Sequence, residues 1–135
     1  MLQRIQTVWL LAASACGLLS LKASFFIGSI STEAASNFTG MNDLLIMILT
    51  IVAATVAFIA IFLYMTRPLQ LKMILAAFIL NATVLVLYFL AFKKYTTGGI
   101  ALGSVAAFAI PIFLILAGSG IYKDDKLVKS LDRLR

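Results

Sequence analysis

A few polar side chains interrupt long apolar runs in this sequence, and they are the first place to look for chemistry. Thr55 and Asn81 each lie thirteen residues from Pro68, on opposite sides of it. Two helices joined near Pro68 would therefore place them at one depth, where they can hydrogen-bond to each other. Pro111 interrupts a further apolar run and leaves the carbonyl of Ala107 without its helical donor. We define the midplane polar layer as Ser14, Thr55, Asn81 and Pro111.

Two roles are open for this layer. Polar or unwound segments at the middle of a bilayer form the binding sites of many transporters. Asn and Thr within membrane helices more often hydrogen-bond to neighbouring helices, with ~0.6 kcal/mol for each contact. We favour the second role for these residues.

The residue types on which most enzyme mechanisms depend are scarce. The chain of 135 residues has no histidine, a single cysteine and no Asp or Glu within its apolar runs. A histidine-assisted nucleophile, a metal site or an intramembrane proton relay requires such groups. The sequence therefore predicts a protein that is not an enzyme and that binds neither a metal nor another cofactor.

Four apolar runs must position the polar side chains, and they cover residues 5–27, 44–65, 73–92 and 100–122. The chain is 63% hydrophobic and 12% charged. A helix of ~20 residues crosses the ~30 Å hydrocarbon core of a bilayer. The short basic turn at residues 66–72 can only return the third run beside the second. We therefore predict an all-α integral membrane protein, with four transmembrane helices in an antiparallel bundle over residues 1–122.

The polar stretch at residues 28–43 lies between the first two spans. It is rich in Ser, Thr, Asn and Gly and has no hydrophobic period, which predicts an ordinary surface loop. Its last residues are good helix caps, and we expect a helix to begin near Leu44. Lys22 would mark the outer end of the first span, and a second short loop covers residues 93–99.

Orientation follows from the distribution of Lys and Arg. With four spans, the face that carries both termini and the 66–72 turn has eight basic residues, and the opposite face has three. The positive-inside rule then places both termini in the cytoplasm. The net charge of +6 thus reflects membrane orientation and contact with anionic lipid headgroups, and we expect no nucleic-acid partner.

Small residues recur at helical spacing within the spans. Gly99, Gly103 and Ala107 repeat every four residues, as do Ala13 with Gly17 and Ala53 with Ala57. Such repeats let helix backbones approach closely. We expect Gly99, Gly103 and Ala107 to form a packing face of the fourth span.

The last thirteen residues, 123–135, are polar again and predict a short amphipathic cytoplasmic helix. Leu127, Leu131 and Leu134 recur at i, i+4 and i+7, and Asp125 can pair with Lys129. A helix this short needs a surface, which is either the inner leaflet or a partner protein. The predicted contact residues are Lys126, Leu127, Lys129, Leu131, Arg133, Leu134 and Arg135.

The two ends of the chain resemble those of a known family. The opening MLQRIQT and the closing KDDKLVKSLDRLR are similar to the ends of a small four-helix family from Bacteroidota, domain of unknown function 4293. The resemblance implies a multi-pass protein of the inner membrane of a Gram-negative bacterium, without an assigned activity.

Two hypotheses about function follow from these features. We favour a non-enzymatic inner-membrane accessory or assembly subunit that binds another membrane or cytoplasmic protein through its helix bundle and basic tail. The alternative is a small oligomeric transporter or channel that uses the midplane polar layer. The lack of an intramembrane charge speaks against the alternative.

Overall fold

The structure is a computed structural model that describes the backbone of residues 2–29 and 36–132 and the side chains of residues 5–29 and 36–131. The described residues form four long helices: α1 (Leu2–Lys22), α2 (Leu44–Phe62), α3 (Arg67–Phe92) and α4 (Ser104–Asp132). Three short strands lie between them: β1 (Ser24–Ser29), β2 (Ser36–Thr39) and β3 (Thr97–Ile100). Each helix is long and apolar enough to cross a membrane.

The helices pack side by side around a narrow core. α1 packs mainly against α4 and α2, and α3 packs mainly against α2 and α4. Apolar side chains fill the core, and many of them are alanines. The core residues are Leu10, Ala13, Ala57, Ala60, Ile74, Ala77, Ile110, Leu114, Ala117 and Ile121. The outward faces are also apolar, as exposed Leu18, Ile59 and Ile112 illustrate. Helices that are apolar on all sides are typical of a lipid environment.

Close approach of α1 and α2 depends on small residues. A Cβ atom added at Gly17 would lie 3.1 Å from the Cβ atom of Ala54. Ala13, Ala53 and Ala57 are buried on the same faces. The alanine and glycine pairs of α1 and α2 therefore lie in the helix interface.

The beginnings of α2 and α3 follow from local chemistry. The side chain of Asp43 accepts a hydrogen bond from the backbone N–H of Leu45, so the predicted helix start at Leu44 is confirmed. A 3-10 turn at Leu63–Met65 ends the α2 segment. Most of the predicted turn at 66–72 is helical, because Pro68 lies in the first turn of α3, where its missing N–H costs nothing.

Residues 28–43 are not an ordinary surface loop, and this prediction is wrong for the part that the structure describes. The three strands form one antiparallel sheet in the order β2-β1-β3. Gly28 pairs with Ser36 of β2 and with Gly98 of β3. The backbone N–H and C=O groups of these residues are therefore paired in a sheet. The pattern of side chains in the sequence does not indicate these strands. The all-α prediction is corrected accordingly, and residues 30–35 lie outside the described part.

The predicted first span is too long, because its last residues belong to β1. α1 ends at Lys22, and an irregularity in the β1 pairing between Ser24 and Phe26 allows both Phe25 and Phe26 to be buried. Phe25 stacks on Tyr88 of α3 with ring centroids 4.1 Å apart. These aromatic rings attach the sheet to one end of the helix bundle.

The predicted fourth span and tail form one continuous helix. α4 begins at Ser104 and extends without a break to Asp132, with Pro111 inside it. The prediction of a separate short helix from residue 123 is therefore wrong. Lys123 and the residues after it include no proline or glycine, so nothing interrupts the backbone hydrogen bonds after Tyr122.

The predicted packing face of Gly99, Gly103 and Ala107 is also wrong. Gly99 is exposed in β3, and Gly103 precedes α4, so only Ala107 is helical and buried. Gly103 instead allows close approach of two backbones. A Cβ atom there would collide with the carbonyl oxygen of Ser24 and with Ala23.

Candidate functional site at the ends of α1, α3 and α4

A polar cluster ties three helices together at the end of the molecule that is opposite the sheet. Nε2 of Gln6 in α1 donates a hydrogen bond to Oδ2 of Asp124 in α4, over 2.5 Å. Nη1 of Arg67 in α3 donates to the backbone carbonyl of Asp124, over 3.4 Å. Asp124 is therefore held both by its side chain and by its backbone.

Gln70 belongs to the same cluster and is buried. Its Nε2 donates to the carbonyl of Ala60 over 2.9 Å, which joins α3 to α2. The cavity between Gln6, Arg67, Gln70 and Asp124 has a volume of about 10 Å³. One water molecule requires roughly that volume, so the cluster joins helices and does not enclose a larger ligand.

Beyond this cluster α4 continues as the projecting segment, which we define as residues 125–132. Val128 and Leu131 continue the alternating spacing of three and four residues that runs through the inward face of α4: buried Ile110, Leu114, Ala117 and Ile121, and half-buried Asp124. Val128 is 40% exposed and Leu131 is 66% exposed, and Leu127 beside them is 57% exposed. The apolar row of α4 thus extends past the packed part of the described structure.

Charged residues surround the apolar row of the projecting segment. Nζ of Lys129 lies 2.6 Å from Oδ2 of Asp125, which confirms the predicted pair. The lysine is mostly exposed, so the pair contributes at most about 0.5 kcal/mol. Lys126 is exposed as well. The other predicted contact residues, Arg133, Leu134 and Arg135, lie outside the described residues.

The midplane polar layer is not assembled as predicted. Thr55 is exposed on α2, and its hydroxyl donates to the carbonyls of Ile51 and Val52. The predicted hydrogen bond between Thr55 and Asn81 is therefore wrong, because Ala53, Ala54 and Ala57 occupy the buried face of α2 instead.

The other members of the layer are closer to the core but do not meet as a group. Ser14 is buried, and its hydroxyl donates to the carbonyl of Leu11 over 2.9 Å. Pro111 is half-buried in α4. The hydroxyl of Ser14 therefore bonds within its own helix.

Thr50 is the residue that the sequence analysis missed. Thr50 and Asn81 are each 2% exposed, and both line a cavity of about 10 Å³ together with Ala13, Gly17 and Ala77. The hydroxyl of Thr50 donates to the carbonyl of Ile46, whereas Oδ1 of Asn81 has no hydrogen-bond partner among the residues that the structure describes. Ile46, Thr50, Ala53 and Ala57 recur in the sequence at helical spacing. This pattern could have placed Thr50 on the buried face of α2.

The side chains at this end of the bundle offer hydrogen-bonding groups that join the helices. Among the described residues no group of three or more His, Cys, Asp or Glu side chains is placed to hold a metal ion. α4 continues past this polar cluster as one unbroken helix.

The family model "Domain of unknown function (DUF4293)" matches residues 2–134. The chain belongs to the DUF4293 family. The resemblance recognised at the two ends is thereby confirmed, and the DUF4293 match includes the projecting segment as well as all four helices. No curated protein matches the chain.

Proposed function

We propose that this DUF4293 protein is a non-enzymatic accessory or assembly subunit of a bacterial inner membrane. Its four helices span the bilayer as an antiparallel bundle, and both termini are cytoplasmic. The projecting segment of α4 binds a membrane or cytoplasmic partner protein. The observation that carries this proposal is the continuation of the buried apolar row of α4 into exposed Val128 and Leu131.

Contacts at the two ends of α1 and α4 support the antiparallel arrangement. Gln6 near the start of α1 bonds to Asp124 near the end of α4. Ala23, just after α1, lies against Gly103, just before α4. The basic residues are concentrated at the end that carries both termini, which supports a cytoplasmic location for that end.

The length of α4 supports a projection into the cytoplasm. Its 29 residues correspond to ~43 Å of helix, which exceeds the ~30 Å hydrocarbon core of a bilayer. The excess lies at the C-terminal end, because Asp124 and the lysines around it mark the edge of the apolar span. The projecting segment therefore reaches water or a partner surface.

A protein partner explains the projecting segment better than the leaflet surface does. A helix that rests on a leaflet must lie parallel to the membrane plane. α4 is continuous through residue 122, and Gln6 and Arg67 hold Asp124, so the projecting segment keeps the direction of the bundle. A stripe of exposed apolar side chains on such a helix is the usual contact surface for another helix or groove.

The transporter alternative receives less support from the positions of the polar residues. Its pathway requires the midplane polar layer to face one space between helices. The hydroxyls of Ser14 and Thr55 bond within their own helices, and Thr55 lies on an outward face. We therefore keep the accessory-subunit proposal.

Co-purification from native membranes tests the proposal. The full chain, a chain truncated after Tyr122, and the variants Leu131→Glu and Ser130→Glu are each purified in mild detergent. Leu131→Glu places a charge on the apolar row, and Ser130→Glu places the same charge beside the row. We expect one stoichiometric partner with the full chain and with Ser130→Glu, and its loss from the other two. Purification of every form without a partner would contradict the proposal.

A further inference from the structure

An open groove lies between α3 and α4 on the outer surface of the bundle. Its volume is about 420 Å³. Ile74 and Phe78 of α3 form one wall, and Leu114, Ile115 and Gly118 of α4 form the other. This groove takes no part in the polar cluster or in the projecting segment.

The groove has one cation at its edge. Lys72 of α3 is exposed and has no ion pair with the residues that the structure describes. The hydroxyl of Ser119, the other polar group of the lining, already donates to the carbonyl of Leu116. An apolar groove with one unpaired ammonium group at its edge is complementary to an amphipathic anion.

We propose that this groove binds one anionic glycerophospholipid of the surrounding leaflet. An acyl chain lies between α3 and α4, and the phosphate group contacts the ammonium group of Lys72. Pockets that bind small molecules typically measure about 300–1,000 Å³ and combine an apolar lining with a few polar groups that fix orientation. The groove has this size and this composition.

The size of the groove favours a lipid chain over a transmembrane helix. The lining residues extend over about two helical turns of α3 and fewer than two of α4. A helix that spans the membrane has several turns and would need a longer groove. A flexible and linear apolar chain matches such a groove.

Gly118 contributes to the depth of the groove. A Cβ atom added there would lie 3.6 Å from Cγ2 of Ile74, which is an ordinary contact. An alanine would therefore fit without displacing the helices, and a leucine would extend into the groove. This position provides a variant that fills the site.

Lys72 lies near the end of the bundle that carries Arg67 and Lys123, the end that we assign to the cytoplasmic face. The lipid site rests on the proposed insertion into a membrane and is independent of the proposed partner protein. A failure of one proposal leaves the other open to its own test.

Native mass spectrometry of the purified full chain tests the site, with phosphatidylglycerol and phosphatidylcholine as probes. We expect one phosphatidylglycerol molecule to bind more tightly than phosphatidylcholine. Lys72→Gln should weaken phosphatidylglycerol binding about fivefold, the factor expected for one lysine near an anionic headgroup, and leave phosphatidylcholine binding unchanged. Gly118→Leu should weaken the binding of both lipids.

Two control lysines separate this site from general attraction by basic residues. Lys123→Gln removes an exposed charge at the same end, and Lys94→Gln removes one at the opposite end. Neither substitution should change phosphatidylglycerol binding by more than a small fraction of the Lys72→Gln effect. Equal binding of the two lipids, or an equal loss with Lys123→Gln and Lys72→Gln, would overturn the proposal.

Discussion

Gln6 and Asp124 are 118 positions apart in the chain, and the Gln6 side chain donates a hydrogen bond to the Asp124 carboxylate. This contact joins the first and last helices at the point where α4 leaves the packed bundle. Asp124 occupies the position on α4 that Ile121 occupies one turn earlier, facing the other helices. A buried apolar row is thus followed by a polar anchor and then by exposed Val128 and Leu131.

The first prediction concerns this anchor. Asp124→Ala removes the acceptor of the Gln6 amide, and we expect a loss of about 1.5–3 kcal/mol in stability, because hydrogen bonds to charged groups contribute more than neutral ones. Asp125→Ala removes the neighbouring carboxylate, whose ion pair with Lys129 is exposed, and should cost less than 0.5 kcal/mol. Thermal unfolding in detergent distinguishes the two variants, and equal effects would contradict the anchoring role.

The second prediction compares two glycines of the expected packing face. Gly103→Ala should destabilise the protein, because its Cβ atom would collide with the Ser24 carbonyl oxygen and Ala23. Gly99→Ala should have little effect, since no atom lies within 4 Å of the added Cβ position. The melting temperatures of the two variants in one detergent provide the measurement. A larger decrease in melting temperature for Gly99→Ala than for Gly103→Ala would contradict the described packing at the start of α4.

The third prediction concerns the contact between α1 and α2. Gly17→Leu should separate the two helices and destabilise the fold by about 1–3 kcal/mol, the usual range for overpacking. Ala15→Leu introduces the same side chain at an exposed position of α1 and should be tolerated. A protease-protection assay in detergent micelles would compare them. Equal protection of both variants would argue against close packing at Gly17.

The fourth prediction concerns the unpaired amide of the core. Asn81→Leu removes a buried acceptor that has no hydrogen-bond partner within the described ranges, and a small cavity lies beside it. We expect stability to be maintained or to rise, because an unsatisfied buried acceptor costs about 1–3 kcal/mol. Ala77→Leu enlarges a fully buried side chain on the same helix and should destabilise the protein. A large loss from Asn81→Leu would instead indicate that a partner satisfies Asn81.

The helices could be predicted from the sequence because more than one feature of the sequence indicates them. Each span contains about 20 apolar residues, and the cap at Asp43 fixes the start of α2. The Asp125–Lys129 pair could be predicted because it depends only on spacing within one helix. The continuity of α4 was missed because the change to polar residues at Lys123 suggested a new element, although a helix does not require uniform polarity.

The sheet and the core polar pair could not be predicted for a different reason. β2 and β3 have four residues each, and adjacent Phe25 and Phe26 are both buried, so no alternating pattern marks the strands. The prediction placed Thr55 beside Asn81 because each lies thirteen residues from Pro68. That count treats the turn between the two helices as symmetrical. Thr55 lies on the outward face of α2, whereas Thr50 lies on the buried face beside the cavity with Asn81.

The most direct test of the docking role of α4 is site-specific photocrosslinking in native membranes. In one variant a photoreactive residue replaces Val128 on the apolar row. In a second variant it replaces Lys126 on the opposite side of the helix. We predict that the probe at Val128 yields one defined protein adduct and that the probe at Lys126 does not. Adducts with lipid alone at Val128, or the same protein adducts at both positions, would contradict the account.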